Sequence, residues 1–184
     1  MLSFNIDWRS LREIGDKLEA SNRQIGASLS RALRRTEATL RRMSSQGLTK
    51  ELELRAAGSL RKRLKSIKLG TSGKGKSVGL WYGLNDLPVS AFKGRPQQDR
   101  RGAWFKDFYF EGAFVAKSNV KGKQTIFKRV REAPLPITEQ LILIQDRAIV
   151  YIEDEIFDKV EDIFWLHFMR DLKARVKYNI ESKY

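Results

Sequence analysis

Apolar residues near the start of the chain recur at helical spacing. Leu11, Ile14, Leu18, Ile25, Leu29, Leu33, Leu40 and Met43 fall at steps of three, four or seven, which puts them on one stripe of a helix. Asp7 can cap a helix running from Trp8 to about Met43, a reach of about 50 Å at 1.5 Å per residue. Gly15 and Gly26 weaken that helix enough for it to be two. Arg12, Lys17, Arg23, Arg34, Arg41 and Arg42 occupy the other face. Gly47 can close the element, Thr49 can open another, and a second helix is predicted from Lys50 to about Lys65. It would end on Arg61, Lys62, Arg63 and Lys65, either complementing the helix dipole or contacting phosphate.

Beyond Gly70 the pattern turns to short apolar runs bounded by turn residues. Ser77 to Phe92 predicts a hairpin turning at Asn85-Asp86, with Pro88 confining the second strand to an edge. Residues 93–102, KGRPQQDRRG, form a polar basic loop that can stay unordered until a partner arrives. Trp104 to Phe110 is the most aromatic run and predicts one strand. Interleaved with Lys and Arg such rings can stack on bases, but their large burial payload favours a place in the core. The centre of the pattern is Phe110 to Thr138. Phe114 and Val115 end one run, Ser118 to Lys123 supplies a turn, and Thr125, Ile126, Phe127 and Val130 begin a second. Pro134 and Pro136 then stop a central strand. Ile137 and Leu141 to Ile144 predict a last extended segment. From Asp146 a helix free of Pro and Gly can run to about Ile180, with Phe157, Phe164, Trp165 and Phe168 widening its apolar face. That excess of apolar surface points to burial against another subunit.

The expected fold is α+β. A small antiparallel, curled β-sheet (77–144) is flanked by a long basic N-terminal helical region (1–69) and a long acidic C-terminal helix (146–182), all in a single domain spanning 1–184. With 184 residues and 41% hydrophobic content, the chain can bury a real core. It has no cysteine, which removes disulfides, thiolate metal sites and a cysteine nucleophile. The first residues carry early acids and no apolar segment, so no signal peptide and an intracellular start are expected, with no membrane partner.

Charge is unevenly placed. Residues 1–70 carry 16 Lys and Arg against 7 Asp and Glu, residues 71–131 carry 13 against 4, and residues 132–184 carry 7 against 11. The basic part suits a polyanion; the acidic part suits a basic surface on a neighbouring copy. Glu153, Asp154, Glu155, Asp158, Glu161 and Asp162 form a belt that the helix dipole alone explains, without a metal.

Gly70 to Ser77, GTSGKGKS, matches the phosphate-binding pattern G-x-x-x-x-G-K-[ST]. Asp146 at the end of LILIQD imitates a second nucleotide motif. A phosphate loop follows a strand and opens a helix, whereas this stretch leads into VGLWYGL, which has no helical stripe. His167 is the only histidine and sits among apolar neighbours, so a packed side chain is expected. One histidine without cysteine builds no nucleophilic triad and no His/Cys metal site. Neither an enzyme nor a cofactor is expected.

The order of SRALRRTEATLRR (30–42), NDLPVSAF (85–92), a basic loop, GAFVA (112–116), IFKRV (126–130), PLPIT (134–138) and a long C-terminal helix resembles the minor tail protein Z, or tail completion, family of lambda-like phages. The resemblance extends from about Ser28 onward. Its most specific parts are Gly112-Ala113-Phe114-Val115, Phe127-Lys128-Arg129-Val130 and Leu135-Pro136-Ile137. The acidic belt after Ile152 departs from that family's more basic C-terminal helix. The resemblance implies a structural virion protein at the tail end or neck, made in the host cytoplasm and closing into a sixfold ring with tail tube and head–tail connector proteins. A ring needs a head-to-tail interface, which Glu153, Asp154, Glu161, Phe157, Phe164, Trp165 and Phe168 would form with Arg34 and Arg41. Genomic DNA in the channel would meet Lys74, Lys76, Lys93, Arg95, Arg100, Arg101, Lys117, Lys121 and Lys123 through sequence-independent phosphate contacts. A stand-alone, sequence-nonspecific DNA-binding protein is the alternative.

Overall fold

A computed structural model describes residues 8–69, 77–118, 122–130 and 134–181. Helix α1 (Trp8–Lys17) is followed by the long α2 (Asn22–Glu51) and the single turn α3 (Gly58–Arg61). Strands then come in order: β1 (Leu64–Leu69), β2 (Ser77–Tyr82), β3 (Leu87–Pro88), β4 (Gln97–Gln98), β5 (Gly102–Phe105), β6 (Phe108–Glu111), β7 (Ala113–Lys117), β8 (Gln124–Arg129), β9 (Ile137–Glu139) and β10 (Leu141–Ile142). The C-terminal helical stretch comprises α4 (Gln145–Tyr151), a π-turn (Ile152–Ile156), a 3₁₀ turn (Phe157–Lys159) and α5 (Val160–Lys177). The protein is α+β. Its strands make four small antiparallel sheets among the described residues, β1–β2, β10–β3, β4–β5–β6 and β7–β8–β9.

Contacts divide the chain into two compact units, one of residues 1–44, 64–82 and 152–184, the other of residues 45–63 and 83–151. In the first, Leu11 of α1 and Ile25, Leu29 and Ala32 of α2 are buried in one cluster with Phe164, Phe168 and Leu172 of α5. Stacked Phe164 and Phe168 rings lie 5.9 Å apart. Each such side chain stabilises by roughly 1.5–3 kcal/mol on burial, so this seam dominates the unit. Buried apolar positions along the C-terminal stretch fall at multiples of four residues, at Ile152, Ile156, Phe164, Phe168 and Leu172, with partly buried Val160 at the intervening place. A spacing of four overshoots an α-helical turn of 3.6 residues, and the wider π-turn takes up part of that drift.

The break between α1 and α2 falls at neither glycine. Glu19 adopts a left-handed φ of 53°, with Ala20 N–H donating to the Gly15 carbonyl and Glu19 N–H to that of Asp16, the Schellman arrangement. Ser21 then caps α2: its Oγ accepts from Gln24 N–H at 3.2 Å, and Gln24 Oε1 accepts from Ser21 N–H at 2.9 Å. This is a capping box. The far end of α2 repeats the Schellman pattern on Glu53, φ 52°. The predicted second helix is therefore absent: α2 runs through Gly47 to Glu51, and residues 64–69 are strand. Position 47, inside the helix, requires glycine because a Cβ there would sit 1.9 Å from Tyr151 Oη and 2.5 Å from its Cζ.

In the second unit, the predicted central hairpin is present as β7–β8, with Phe114 opposite Phe127 and Lys117 opposite Gln124. β9, just past Pro136, adds a third strand through Arg129 opposite Ile137. Two strand expectations need correction. The 77–92 hairpin does not form: β2 pairs back with β1, Leu64 opposite Tyr82, while β3 pairs with β10. The aromatic run 104–110 is two strands, β5 and β6, closed by a two-residue turn at Lys106-Asp107 with Lys106 at φ 53°. Tight hairpin turns need such a positive φ, and Lys supplies it here without the usual Gly or Asn.

Gly26 and Gly47 both lie within α2, yet their alanine variants have opposite expected effects. Nothing lies within 4 Å of a Cβ at Gly26, so Gly26→Ala gains helix propensity and stabilises by up to about 1 kcal/mol. Gly47→Ala collides with the Tyr151 ring and destabilises despite the same propensity gain. Thermal unfolding of the two variants, followed by circular dichroism, measures both signs.

Candidate functional site

Two surfaces carry the candidate residues, one in each unit. In the first unit the seam is closed by a charged cluster. Asp171 is buried, 6% exposed, and accepts from Arg175 Nε at 2.7 Å and Arg31 Nη1 at 3.3 Å, with Arg35 Nη1 at 4.0 Å. Burial pushes its carboxyl up, but hydrogen bonds and charge from Arg175 and Arg31 outweigh that and hold it below the usual aspartate value. Gln24, besides its capping role, donates to the Arg175 carbonyl at 3.3 Å. Half-buried His167 lies 3.2 Å from Thr39 Oγ1, and burial, then Arg35 and Arg170, push its pKa down.

The interface residues expected from sequence separate into two groups. Phe164 and Phe168 are fully buried in their own unit, so they offer no surface to another subunit. Apolar content on a long helix did not distinguish internal packing from a docking face. Trp165 is partly buried against the same cluster and donates to Glu161 Oε1 at 3.3 Å; Phe157 is half-buried. Glu153, Asp154 and Glu161 are exposed, as are Arg34 and Arg41 on α2. Leu166 on α5 is an apolar side chain left 67% exposed.

The second unit carries most of the described basic loop residues. Lys93, Arg95, Arg100 and Arg101 are exposed around β4 and the turn to β5. Far from loose, this segment is tightly tied. Arg55 Nη2 donates to the Gly94 carbonyl at 2.7 Å, Gln98 Nε2 donates to the Gly102 carbonyl at 2.8 Å, and Gln98 Oε1 accepts from Val115 N–H on β7 at 2.7 Å. Among the described residues no carboxylate forms an ion pair with Arg95, Arg100 or Arg101. Lys117 and Lys123 flank the β7–β8 turn, where Ser118 N–H donates to the Lys123 carbonyl at 2.8 Å. Lys74, Lys76 and Lys121 lie outside the described residues.

The aromatic run corrects the expectation of core burial. Only Phe105 is fully buried; Trp104 is 42% exposed, Phe108 44% and Tyr109 38%. In register, Gln97, Trp104 and Tyr109 form one row across β4, β5 and β6, and the Trp104 and Tyr109 rings are 4.7 Å apart. The neighbouring position on β5 is Gly102, where a Cβ would meet the Phe110 carbonyl at 2.3 Å and Tyr109 Oη at 3.0 Å. Tyr109 thus lies over bare backbone.

The stretch matching a phosphate-loop pattern follows a strand, β1, but has the wrong flank on its C-terminal side. Its glycine-rich part lies outside the described residues, but Leu69 before it pairs with Ser77 after it in an antiparallel hairpin. Ser77 opens a strand, where a phosphate loop would open a helix. Arg63, from the predicted phosphate patch, instead donates to the Asn85 and Asp86 carbonyls, and Lys65 lies 5.5 Å from the Trp81 ring centroid. Among the described residues no group of three or more His, Asp or Glu could hold a metal ion, and no helix is long and apolar enough to cross a membrane.

Asp171 and His167 set the expected pH response. Asp171 has a folded pKa below its unfolded value, so its contribution is present above about pH 4 and is lost as pH falls through the folded value. His167, also depressed, contributes above its unfolded value near 6.5 and loses that contribution as pH falls below it. Asp171→Asn, which leaves Arg175 and the half-exposed Arg31 and Arg35 without their carboxylate, should cost roughly 1.5–3 kcal/mol at pH 7 and flatten the acid limb. His167→Gln should flatten only the limb below pH 6.5. Urea unfolding from pH 8 to 3 measures both.

No protein-family profile, no curated protein and no solved structure matches this chain.

Proposed function

We propose that this chain is a structural virion protein, a tail completion or terminator-like subunit that closes into a ring at the head–tail joint of a phage. Three short motifs resemble that family, and the observation that carries the reading is where they sit. Gly112 to Val115 leads into β7, Phe127 to Val130 ends β8, and Leu135 to Ile137 enters β9. Segments separated along the chain meet as neighbouring strands of one sheet, with the Arg129 guanidinium 5.7 Å from the Phe114 ring centroid and Arg129 Nη1 donating to the Pro134 carbonyl.

The charge layout supports a head-to-tail contact. Exposed Glu153, Asp154 and Glu161 on the C-terminal stretch and exposed Arg34 and Arg41 on α2 are complementary patches on the same chain. Complementary patches of this kind favour heterologous association, which closes into rings when the rotation allows. Sixfold closure, binding to tube and connector proteins, and phosphate contacts from Lys93, Arg95, Arg100, Arg101, Lys117 and Lys123 complete the proposal. Phe164 and Phe168 take no part in the contact.

Mixing tests the interface directly. Variant A, Glu153→Gln with Asp154→Asn and Glu161→Gln, keeps only the basic patch; variant B, Arg34→Gln with Arg41→Gln, keeps only the acidic one. If wild type forms rings, each variant alone should stay monomeric in sedimentation velocity, and their mixture should stop at one-to-one pairs. Rings from either variant alone would discard this pairing of faces. Wild-type chain that stays monomeric in the presence of tail tubes, leaving their ends unoccupied, would discard the ring itself.

A further inference from the structure

We infer that the exposed face of the β4–β5–β6 sheet binds single-stranded nucleic acid by stacking unpaired bases on Trp104 and Tyr109. This goes beyond phosphate contact in a channel. It shares the basic loop with that proposal but does not depend on ring formation.

The first support is the surface itself. Indole and phenol rings normally contribute by burial, yet here two adjacent rings remain 42% and 38% exposed on one row of a short sheet. They are not loosely placed. Cross-strand pairing sets Trp104 opposite Tyr109, and the absence of a side chain at Gly102 lets Tyr109 lie against the strand. The result is a pair of supported, half-exposed rings, with the Gly102 backbone buried beneath Tyr109, on which a flat base can stack.

The second support is charge. Arg100 and Arg101 immediately precede Gly102, and Arg95 precedes β4 by one residue. All three are exposed and, among the described residues, form no ion pair with a carboxylate. Cations beside stacking rings suit a chain of phosphates carrying accessible bases. A duplex hides its base faces in its own stack, so the rings would add nothing to duplex binding. Single strands present both chemistries together. A protein partner would use the apolar rings but would not require the arginines.

Fluorescence anisotropy of labelled thymidine oligonucleotides of about 20 nucleotides, against a duplex of equal length, tests the inference on the full-length protein. Wild type should bind the single strand more tightly than the duplex. Trp104→Ala and Tyr109→Ala should each weaken single-strand binding by roughly ten- to a hundredfold, leave duplex binding unchanged, and keep the wild-type circular dichroism spectrum. Trp104→Phe should recover most of the loss, and Arg100→Gln with Arg101→Gln should lower the salt dependence of binding. Equal binding of single strand and duplex, or unchanged single-strand binding in both alanine variants, would overturn the inference. So would a loss of self-association on Trp104→Ala without loss of oligonucleotide binding, which assigns the face to a second copy of this chain. The oligonucleotide outcomes leave ring closure through the charged patches of the other unit untouched.

Discussion

One buried carboxylate sets the helix register of the first unit. Asp171 comes from the C-terminal helix and is met by Arg31 and Arg35 of α2 and by Arg175 one turn along. Removing a carboxylate from water costs several kcal/mol unless partners surround it. Here the partners come from two elements, so the ion can be satisfied only when α2 and α5 are in register. The apolar seam of Leu29, Ala32, Phe164, Phe168 and Leu172 supplies the larger driving force. That force sets the contact but is less directional than hydrogen bonds to a charge. The charge cluster fixes which turn of one helix faces which turn of the other. Gln24 adds to the same register by capping α2 and reaching the Arg175 carbonyl.

This division of labour separates the arginines of α2 into two populations. Arg31 and Arg35 pair with Asp171, at 3.3 and 4.0 Å, whereas Arg34 and Arg41 on the same helix pair with no carboxylate among the described residues. Composition counts them all alike as basic residues. Their neighbours decide that some stabilise the fold while others are left to form the complementary patch on which the proposed ring contact rests. Trp165 shows the reverse: it packs against the cluster and still reaches Glu161 in the acidic belt.

Much of the α+β plan was legible because it follows from periodicity. The stripe on α1 and α2, the β7–β8 hairpin around Ser118 to Lys123, and an extended segment beyond Pro136 all follow from spacing and turn chemistry. What escaped were boundaries made by residues that usually do something else. Glu19 and Glu53 hold left-handed conformations where glycine is the common choice, so α1 and α2 had no visible stop. Ser21 to Gln24 did carry a legible signal, the S-x-x-Q capping box, which marks the start of α2 better than either glycine. Lys106-Asp107 turns a hairpin without Asn or Gly. The exposure of Trp104 and Tyr109 was illegible for a different reason: alternation says that Trp104 and Phe105 point to opposite faces, but not which face is covered. Partner choice for β2 escaped because its neighbour, β1, was read as the end of a helix.

The π-turn at Ile152–Ile156 interrupts a stretch with no proline or glycine. A turn of this kind holds one more residue than its α-helical equivalent. Removing a residue there yields an ordinary turn, whereas removing one within Val160–Lys177 would rotate Phe164 or Leu172 out of the seam. The stretch therefore has one turn where losing a residue is cheap, and beside it the 3₁₀ turn at Phe157–Lys159, where gaining one is.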